Sequence, residues 1–182
     1  MTSTFTYSYT RTHTATHLTE VILGTITDIL ADLGINMDRF HCDWVQNENA
    51  IKAWIEEGSL TQVVLECHRP SGTVDPVIEF PVSYTASGTG DAQFTASRAR
   101  LSRFRAKLDR VPPGTTYQLF CTFNSHHSPQ DGWEPGTRAS TNGLRGITFG
   151  TLGTAPHASA GMRYLHTAKG NPWDTSTTPS AN

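Results

Sequence analysis

The chain has 182 residues, of which 36% are hydrophobic and 16% are charged, and its formal net charge is -2. This length is enough for one domain with a buried core. The near-neutral charge excludes a surface built throughout to attract nucleic acid or anionic lipid. No stretch approaches the ~18 consecutive apolar residues of a membrane span. We therefore expect a single cytoplasmic domain, with no membrane contact, in which Cys42, Cys67 and Cys121 are reduced, buried thiols.

The first predicted elements follow from hydrophobic spacing. Aromatic and hydroxyl residues alternate over residues 4–10, which predicts a short half-buried strand. A long helix follows and ends at Gly34. Asp43 and Gln46 have the spacing of a capping box that opens a second, short helix, and Gly58 ends it. The apolar stripe of the long helix consists of Ala15, Leu18, Ile22, Leu23, Ile26, Ile29, Leu30 and Leu33.

A β-hairpin is predicted next, because residues 63–67 and 78–84 alternate on either side of a turn at 70–72. Pro81 has no backbone N–H, so the second arm is expected to be unpaired or bulged there. A glycine loop at 87–91 then leads into a third helix.

The third helix is predicted from an apolar stripe that runs from Phe94 to Val111 and ends before two prolines. Arginines crowd its remaining surface. If the helix has a binding role, Arg98, Arg103 and Arg105 would bind an acidic partner or a phosphate backbone. The alternative interpretation is that they form the solvated side of an amphipathic helix. A nucleic-acid-binding or general protein-interaction module is therefore the alternative function.

The last regular element predicted is a strand over Tyr117–Phe123, in which alternate residues are apolar and Phe120 points to the opposite face. Residues 124–162 are rich in Gly, Pro, Ser, Thr and His and have only brief apolar runs. A segment of this length without periodicity indicates a functional loop or a rearranging segment. Residues 168–182 are expected to form a disordered tail.

The histidines do not form a recognisable reactive site. His126 and His127 are adjacent and have no partner at a metal-binding spacing. His17 and His157 each begin an H-x-[ST] motif like those of two-histidine phosphoesterases, but such motifs face each other from strands and His17 lies in the predicted long helix. Nucleophile elbows and phosphate-binding loops are absent from the sequence. We expect no catalytic residue, metal or cofactor.

The order of strand, long helix, short helix, hairpin, helix, strand and long C-terminal segment resembles the HORMA domain. The opening TFTYSYTRTHTATHLTEVILGTITDIL and the closing FGTLGTAPHASAGMRYL are similar to bacterial HORMA proteins of CBASS anti-phage operons. The similarity covers about residues 3–167. It implies an α+β fold with a central antiparallel sheet packed by three helices, a core over about 4–124, a C-terminal safety belt over about 125–166 and a flexible tail from 168.

This resemblance also implies a function without catalysis. In that family the belt wraps around a closure-motif peptide, which adds a strand to the sheet. The closed form activates a cGAS/DncV-like nucleotidyltransferase, a AAA+ ATPase reopens the domain, and a second HORMA protein is a possible partner. The resemblance does not specify whether the free domain rests in the open or the closed form, or which sequence the closure motif has. Strand addition needs a free sheet edge, and here the implied strand consists of Tyr117, Gln118, Leu119, Phe120, Cys121, Thr122 and Phe123.

Two further sets of residues receive roles from the resemblance. The safety belt would include Trp133, Leu144, Ile147, Phe149 and Tyr164. The N-terminus would be the handle that the ATPase pulls, with Thr4, Phe5, Tyr7 and Tyr9.

Overall fold

The computed structural model describes residues 2–85, 94–124 and 126–167, with the backbone alone for residues 2–10. These residues form a six-stranded antiparallel sheet with helices on one face, so the predicted α+β fold is confirmed. The loop predicted at 87–91 and the tail predicted from 168 lie outside the described residues. The elements are α1 (Thr2–Leu33), α2 (Asp38–Cys42), α3 (Trp44–Glu57), β1 (Leu60–His68), β2 (Val74–Tyr84), β3 (Thr95–Ala96), α4 (Arg98–Arg105), β4 (Thr116–Phe123), β5 (Leu144–Thr154) and β6 (Ala158–Thr167).

Helix α1 is the main cover of the sheet. Its apolar residues recur every three or four positions, so they share one face and are buried as predicted. Gly34 follows it with a φ of 75°, a conformation that glycine adopts without a steric penalty. No helix in the described part of the chain combines the length and apolarity needed to cross a membrane.

The strand predicted at residues 4–10 is wrong, because the backbone of these residues continues α1. β-Branched and aromatic residues favour a strand only where a neighbouring strand pairs with them. Adding a residue to an existing helix gains a hydrogen bond with each step. Local alternation is therefore overridden by the helix that follows it.

Helix α3 begins and ends where the sequence predicts, but it is not capped by the predicted box. Asp43 occupies the N-cap position and makes no side-chain capping bond. The Gln46 side chain donates instead to the backbone oxygen of Asp131, at 2.7 Å. Gly58 ends the helix in the left-handed conformation, with a φ of 78°.

Helix α4 is shorter than predicted at both ends. Phe94 is 47% exposed. Thr95 pairs with Thr154 in the sheet, and the N–H of Ser97 donates to Leu152, which commits this stretch to strand pairing. Beyond Arg105 the chain leaves the helix, and the N–H of Val111 donates to the oxygen of Leu33. Tertiary hydrogen bonds thus replace the outer turns of the predicted helix.

The C-terminal part is more regular than predicted, because residues 144–167 form a long β-hairpin of β5 and β6. Two register shifts interrupt it, between Thr148 and Gly150 and between Thr151 and Gly153. Each bulge adds an unpaired residue and breaks the period-2 pattern. The hairpin is therefore hidden from a search for simple alternation.

The strand order β3-β5-β6-β2-β1-β4 places the C-terminal hairpin beside β2 and leaves β4 at the edge. β2 pairs with β1 from Val74 to Pro81, but its pairing with β6 is interrupted between Glu79 and Val82, where Pro81 lies, as predicted. The helices cover one face of the sheet. The other face, here called the back face, carries a smaller apolar cluster of Val64, Val77, Phe120 and Leu165.

Candidate functional site

Strand β4 has one partner among the described residues. It pairs with β1 from Thr116 to Phe123, and its opposite side, here called the outer edge, is not paired with another strand. An unpaired edge presents backbone N–H and C=O groups that can bind a further strand. The predicted binding strand therefore lies where strand addition is geometrically possible.

A row of apolar side chains follows β4 on the helix side of the sheet. Tyr117, Leu119, Cys121 and Phe123 all pack against the main core, as their alternation predicts, while Phe120 joins the back-face cluster. Burial raises the pKa of the Tyr117 hydroxyl and of the Cys121 thiol, so both side chains are neutral near pH 7.

Aromatic residues of the helices stand at both ends of this row. At one end, the rings of Phe40 and Tyr117 are 6.0 Å apart, and Trp44 packs on Phe40. At the other end, Trp54 of α3 is 4.9 Å from Phe123. The outer edge is thus flanked on the helix side by a largely apolar wall.

Residues 126–143, here called the crossing segment, connect β4 to β5 without regular secondary structure. Their first part attaches to α3. The indole N–H of Trp54 donates to the oxygen of Ser128 at 2.8 Å, and Trp133 packs edge-on against Trp54 at 5.3 Å. Trp133 therefore packs on the protein's own core.

Glu57 gives this attachment an electrostatic component. Burial raises the pKa of this carboxyl, but hydrogen bonds from Ser128 and Ser59 and the nearby His127 outweigh it, so the net pKa is lowered. Ser128 donates to Glu57 from both its backbone N–H and its hydroxyl. His127 in turn stacks on Phe123, with ring centroids 3.7 Å apart. The start of the crossing segment is thus fixed to α3 and to the end of β4.

The second part of the crossing segment lies on the back face. A Cβ placed on Gly136 would be 3.2 Å from Cε1 of Phe120, so the backbone passes closely over that ring. Arg138 then donates to Glu66 of β1 at 3.4 Å and to Glu79 of β2 at 3.1 Å. The backbone N of Ala139 lies 3.2 Å from both carboxylate oxygens of Glu66.

The crossing segment therefore passes around the outer edge of β4. Trp133 lies on the helix side of the sheet and Gly136 lies on the back face. The chain between these two residues can span about 10 Å at most. Five strands separate β4 from the opposite edge of the sheet, which is too far for that span. A strand added to β4 would lie between the edge and this loop of chain.

The residues predicted for the safety belt fall in two places. Trp133 is in the crossing segment, whereas Leu144, Ile147 and Phe149 are in β5 and Tyr164 is in β6. Phe149 and Tyr164 are buried against Phe104 of α4, at 6.0 and 5.4 Å. The four strand residues belong to the sheet and its core, and only Trp133 is close to the outer edge. The side chains of Thr4, Phe5, Tyr7 and Tyr9 lie outside the described residues.

The predicted basic helix is only partly free to bind a partner. Arg105 is paired with Asp28 at 2.6 Å and with Asp32 at 2.5 Å, whereas Arg98 and Arg103 are exposed. The intramolecular ion pairs reduce the positive charge that α4 offers to nucleic acid.

The histidines singled out in the sequence do not form a reactive site. His17 lies in α1, and its Nε2 is 2.8 Å from the oxygen of Thr95, so it does not occupy the strand that a two-histidine phosphoesterase requires. Burial lowers the pKa of His157, with a contribution from Arg11. Across the described ranges, no group of His, Cys, Asp and Glu has the geometry of a metal site.

Sequence reasoning missed the residues that position the crossing segment. Glu66 and Glu79 are buried, and each lies between apolar neighbours in a predicted strand. A carboxylate in such a run has to meet a partner across the sheet face. That signal was present, but the partner Arg138 is 72 residues from Glu66 and 59 from Glu79, which local patterns do not encode.

Comparisons with known proteins identify the family and the fold of the chain. A family model described as bacterial HORMA domain 2 matches residues 1–168. No curated protein sequence matches the chain significantly.

Among solved structures, the chain is similar to one from the mitotic checkpoint complex, with 9% identity, a TM-score of 0.69, and coverage of 86% of this chain and 96% of that chain. The structure of C. elegans HTP-1 bound to the HIM-3 closure motif has 14% identity, a TM-score of 0.63, and coverage of 81% and 87%. The structure of the E. coli MS115-1 CdnC:HORMA-deltaN complex has 12% identity, a TM-score of 0.52, and coverage of 86% of this chain and 89% of that chain. At these identities the similarity shows the fold, and the match of the family model confirms the resemblance seen in the sequence. The chain belongs to the bacterial HORMA domain 2 family.

Proposed function

We propose that this chain captures an extended segment of a partner protein as an additional strand on the outer edge of β4. One observation carries the proposal: the edge is unpaired among the described residues, and the crossing segment passes around it from the helix side to the back face. Strand addition draws affinity from main-chain hydrogen bonds, and the surrounding chain would hold the peptide in place. The chain would therefore act by binding and not by catalysis.

The side chains around the edge specify the pattern of the peptide. Residues that point to the helix side would lie along Tyr117, Leu119, Cys121 and Phe123, where apolar side chains bury surface from water. Residues that point to the back face would lie near Gln118 and Thr122, where polar side chains stay hydrated. We infer a closure motif with apolar residues at alternate positions, read by the strand Tyr117, Gln118, Leu119, Phe120, Cys121, Thr122 and Phe123.

The partner of the closed form would be a cGAS/DncV-like nucleotidyltransferase in an anti-phage operon. The family assignment supports this proposal, as does the similar E. coli structure, in which a HORMA protein is in complex with CdnC. A second HORMA protein would be a source of the closure motif. The cytoplasm is the expected location of such a complex.

Reopening by a AAA+ ATPase would act through α1. Pulling on residues 4–9 would unwind a helix whose buried stripe covers the sheet, including β5 and β6. Removing that cover exposes apolar surface that contributes roughly 25 cal/mol per Å² to stability. Local unfolding of α1 would therefore loosen the C-terminal hairpin and release the crossing segment.

The test is a selection of peptides on the full chain, followed by hydrogen exchange. A peptide selected from a display library should protect the amides of residues 117–123 and show apolar residues at alternate positions. Leu119→Asp should weaken its binding at least tenfold, because a carboxylate would be buried in the apolar row. Phe94→Ser, which alters an exposed apolar residue elsewhere, should leave binding unchanged. Selected peptides that protect another surface, or that bind the Leu119 variant equally well, would exclude the outer edge as the site.

A further inference from the structure

Two carboxylates inside the sheet hold the crossing segment on the back face. The Glu66 side chain is 0% exposed and that of Glu79 is 12% exposed. Arg138 bridges them, with Nε at 3.4 Å from Glu66 and Nη2 at 3.1 Å from Glu79, and the Ala139 N–H adds a third donor. Two consecutive residues of the crossing segment thus bind two adjacent strands, β1 and β2.

These contacts are separate from the outer edge of β4. Both glutamates belong to strands inside the sheet, so a strand added beyond β4 would not compete for Arg138. Charge-assisted hydrogen bonds of this kind are short-range and directional, so they form only when the crossing segment lies on the back face. These contacts therefore depend on the position of the crossing segment and not on the sequence of a bound peptide.

We propose that Arg138 is a positioning residue that latches the crossing segment, and that release of this latch sets the rate at which a peptide enters and leaves. The role in peptide exchange rests on the proposed function. The latch itself depends on the burial of the Glu66 carboxylate. Without the guanidinium, the buried Glu66 carboxylate would keep only the Ala139 N–H and the imidazole of His68, 3.6 Å away, as partners whenever the segment is closed, whereas in an opened segment it would be hydrated. Loss of Arg138 therefore destabilises the closed position specifically.

The latch can be tested on the full chain without any peptide. In Arg138→Ala, hydrogen exchange of the Ala139 amide, which donates to Glu66, should accelerate roughly ten- to a hundredfold, which corresponds to losing hydrogen bonds to a charged group. Arg163→Ala is the matched control, because Arg163 contacts the same Glu79 at 3.5 Å from β6 and is 51% exposed. Exchange of the crossing segment in that variant should stay within about twofold of the wild type.

A second variant separates a latch from a general stabilising role. Glu66→Gln removes the buried charge, so Glu66→Gln with Arg138→Ala should exchange more slowly than Arg138→Ala alone. An unchanged rate in Arg138→Ala, no rescue in the double variant, or equally fast exchange throughout β1 and β2 would overturn the latch. Each of these outcomes concerns the closed position of the crossing segment without peptide, whereas failure of the display selection would refute the proposed function, and with it the role in peptide exchange, and leave the latch standing.

Discussion

Asp75 offers a direct test of how the C-terminal hairpin is held to the sheet. It is 2% exposed near the start of β2 and accepts three hydrogen bonds. Thr167, the last residue of β6, donates from its backbone N at 3.2 Å and from its hydroxyl at 2.8 Å, and Nη2 of Arg69 is 2.7 Å away. One buried carboxylate therefore joins β6 to the turn between β1 and β2.

Replacing Asp75 with Asn keeps the shape of the side chain but removes its charge. The new amide N–H₂ also has to face one of three donors, so at least one hydrogen bond is lost. Removing one partner of a buried ion pair costs about 3–5 kcal/mol, and Arg69 is 32% exposed and can turn to water, which lowers the expected loss to about 2–4 kcal/mol. For a domain of this size that loss corresponds to a fall in Tm of about 5–15 °C.

The assay is urea and thermal unfolding of Asp75→Asn beside Asp43→Asn. Asp43 pairs with Arg39 at 3.4 Å, but the two side chains are 42% and 85% exposed, so the control should lose less than about 0.5 kcal/mol. Hydrogen exchange should show the loss first at residues 163–167. Equal stability of the two variants would refute the reasoning that burial makes the Asp75 contact strong.

Three other predictions concern stability and reactivity. Gly24→Ala adds a methyl group inside α1 where no atom lies within 4 Å, so urea unfolding should show about 0.5–1 kcal/mol of added stability. Cys42 is exposed, contrary to the sequence prediction, and should react with a thiol reagent in the native state. Burial raises the pKa of Cys67 to about 12, so that thiol should react only after unfolding. The pKa of His157 is lowered in the folded state, so its contribution to stability is present above the ordinary value of 6.5 and is lost as pH falls through the lower folded pKa. His157→Asn should therefore reduce the loss of stability that is measured between about pH 7 and pH 5.

The elements that the sequence predicted well are those whose side chains repeat with a fixed period. The stripe of α1 and the alternation of β4 each place a whole face in the core, and both are buried as expected. Gly34 and Gly58 follow their helices in the left-handed conformation, which glycine adopts without a steric penalty. Local pattern and tertiary packing agree at these positions.

The errors arose where distant contacts overrule the local pattern. Thr95 pairs with Thr154 and shortens the predicted third helix, and the bulges of β5 obscure a hairpin. The strand of the candidate site was predicted, but the residues that position the crossing segment beside it were not. Glu66, Glu79 and Arg138 meet only because three separate parts of the chain converge on the back face.

The crossing segment lacks an apolar periodicity, and this lack is consistent with the opening and closing that we propose for it. Its packing on apolar residues comes from Trp133, from the stacking of His127 on Phe123 and from the close approach of Gly136 to Phe120, and its other attachments in the described residues are hydrogen bonds and ion pairs at a few points. A segment with few buried apolar contacts can open at a free energy well below that of global unfolding, while the sheet beneath it persists. Added apolar periodicity would have made the segment predictable, but it would also have fixed it to the sheet. Discrete polar contacts such as those of Arg138 would allow it to be held closed and still to open as a unit.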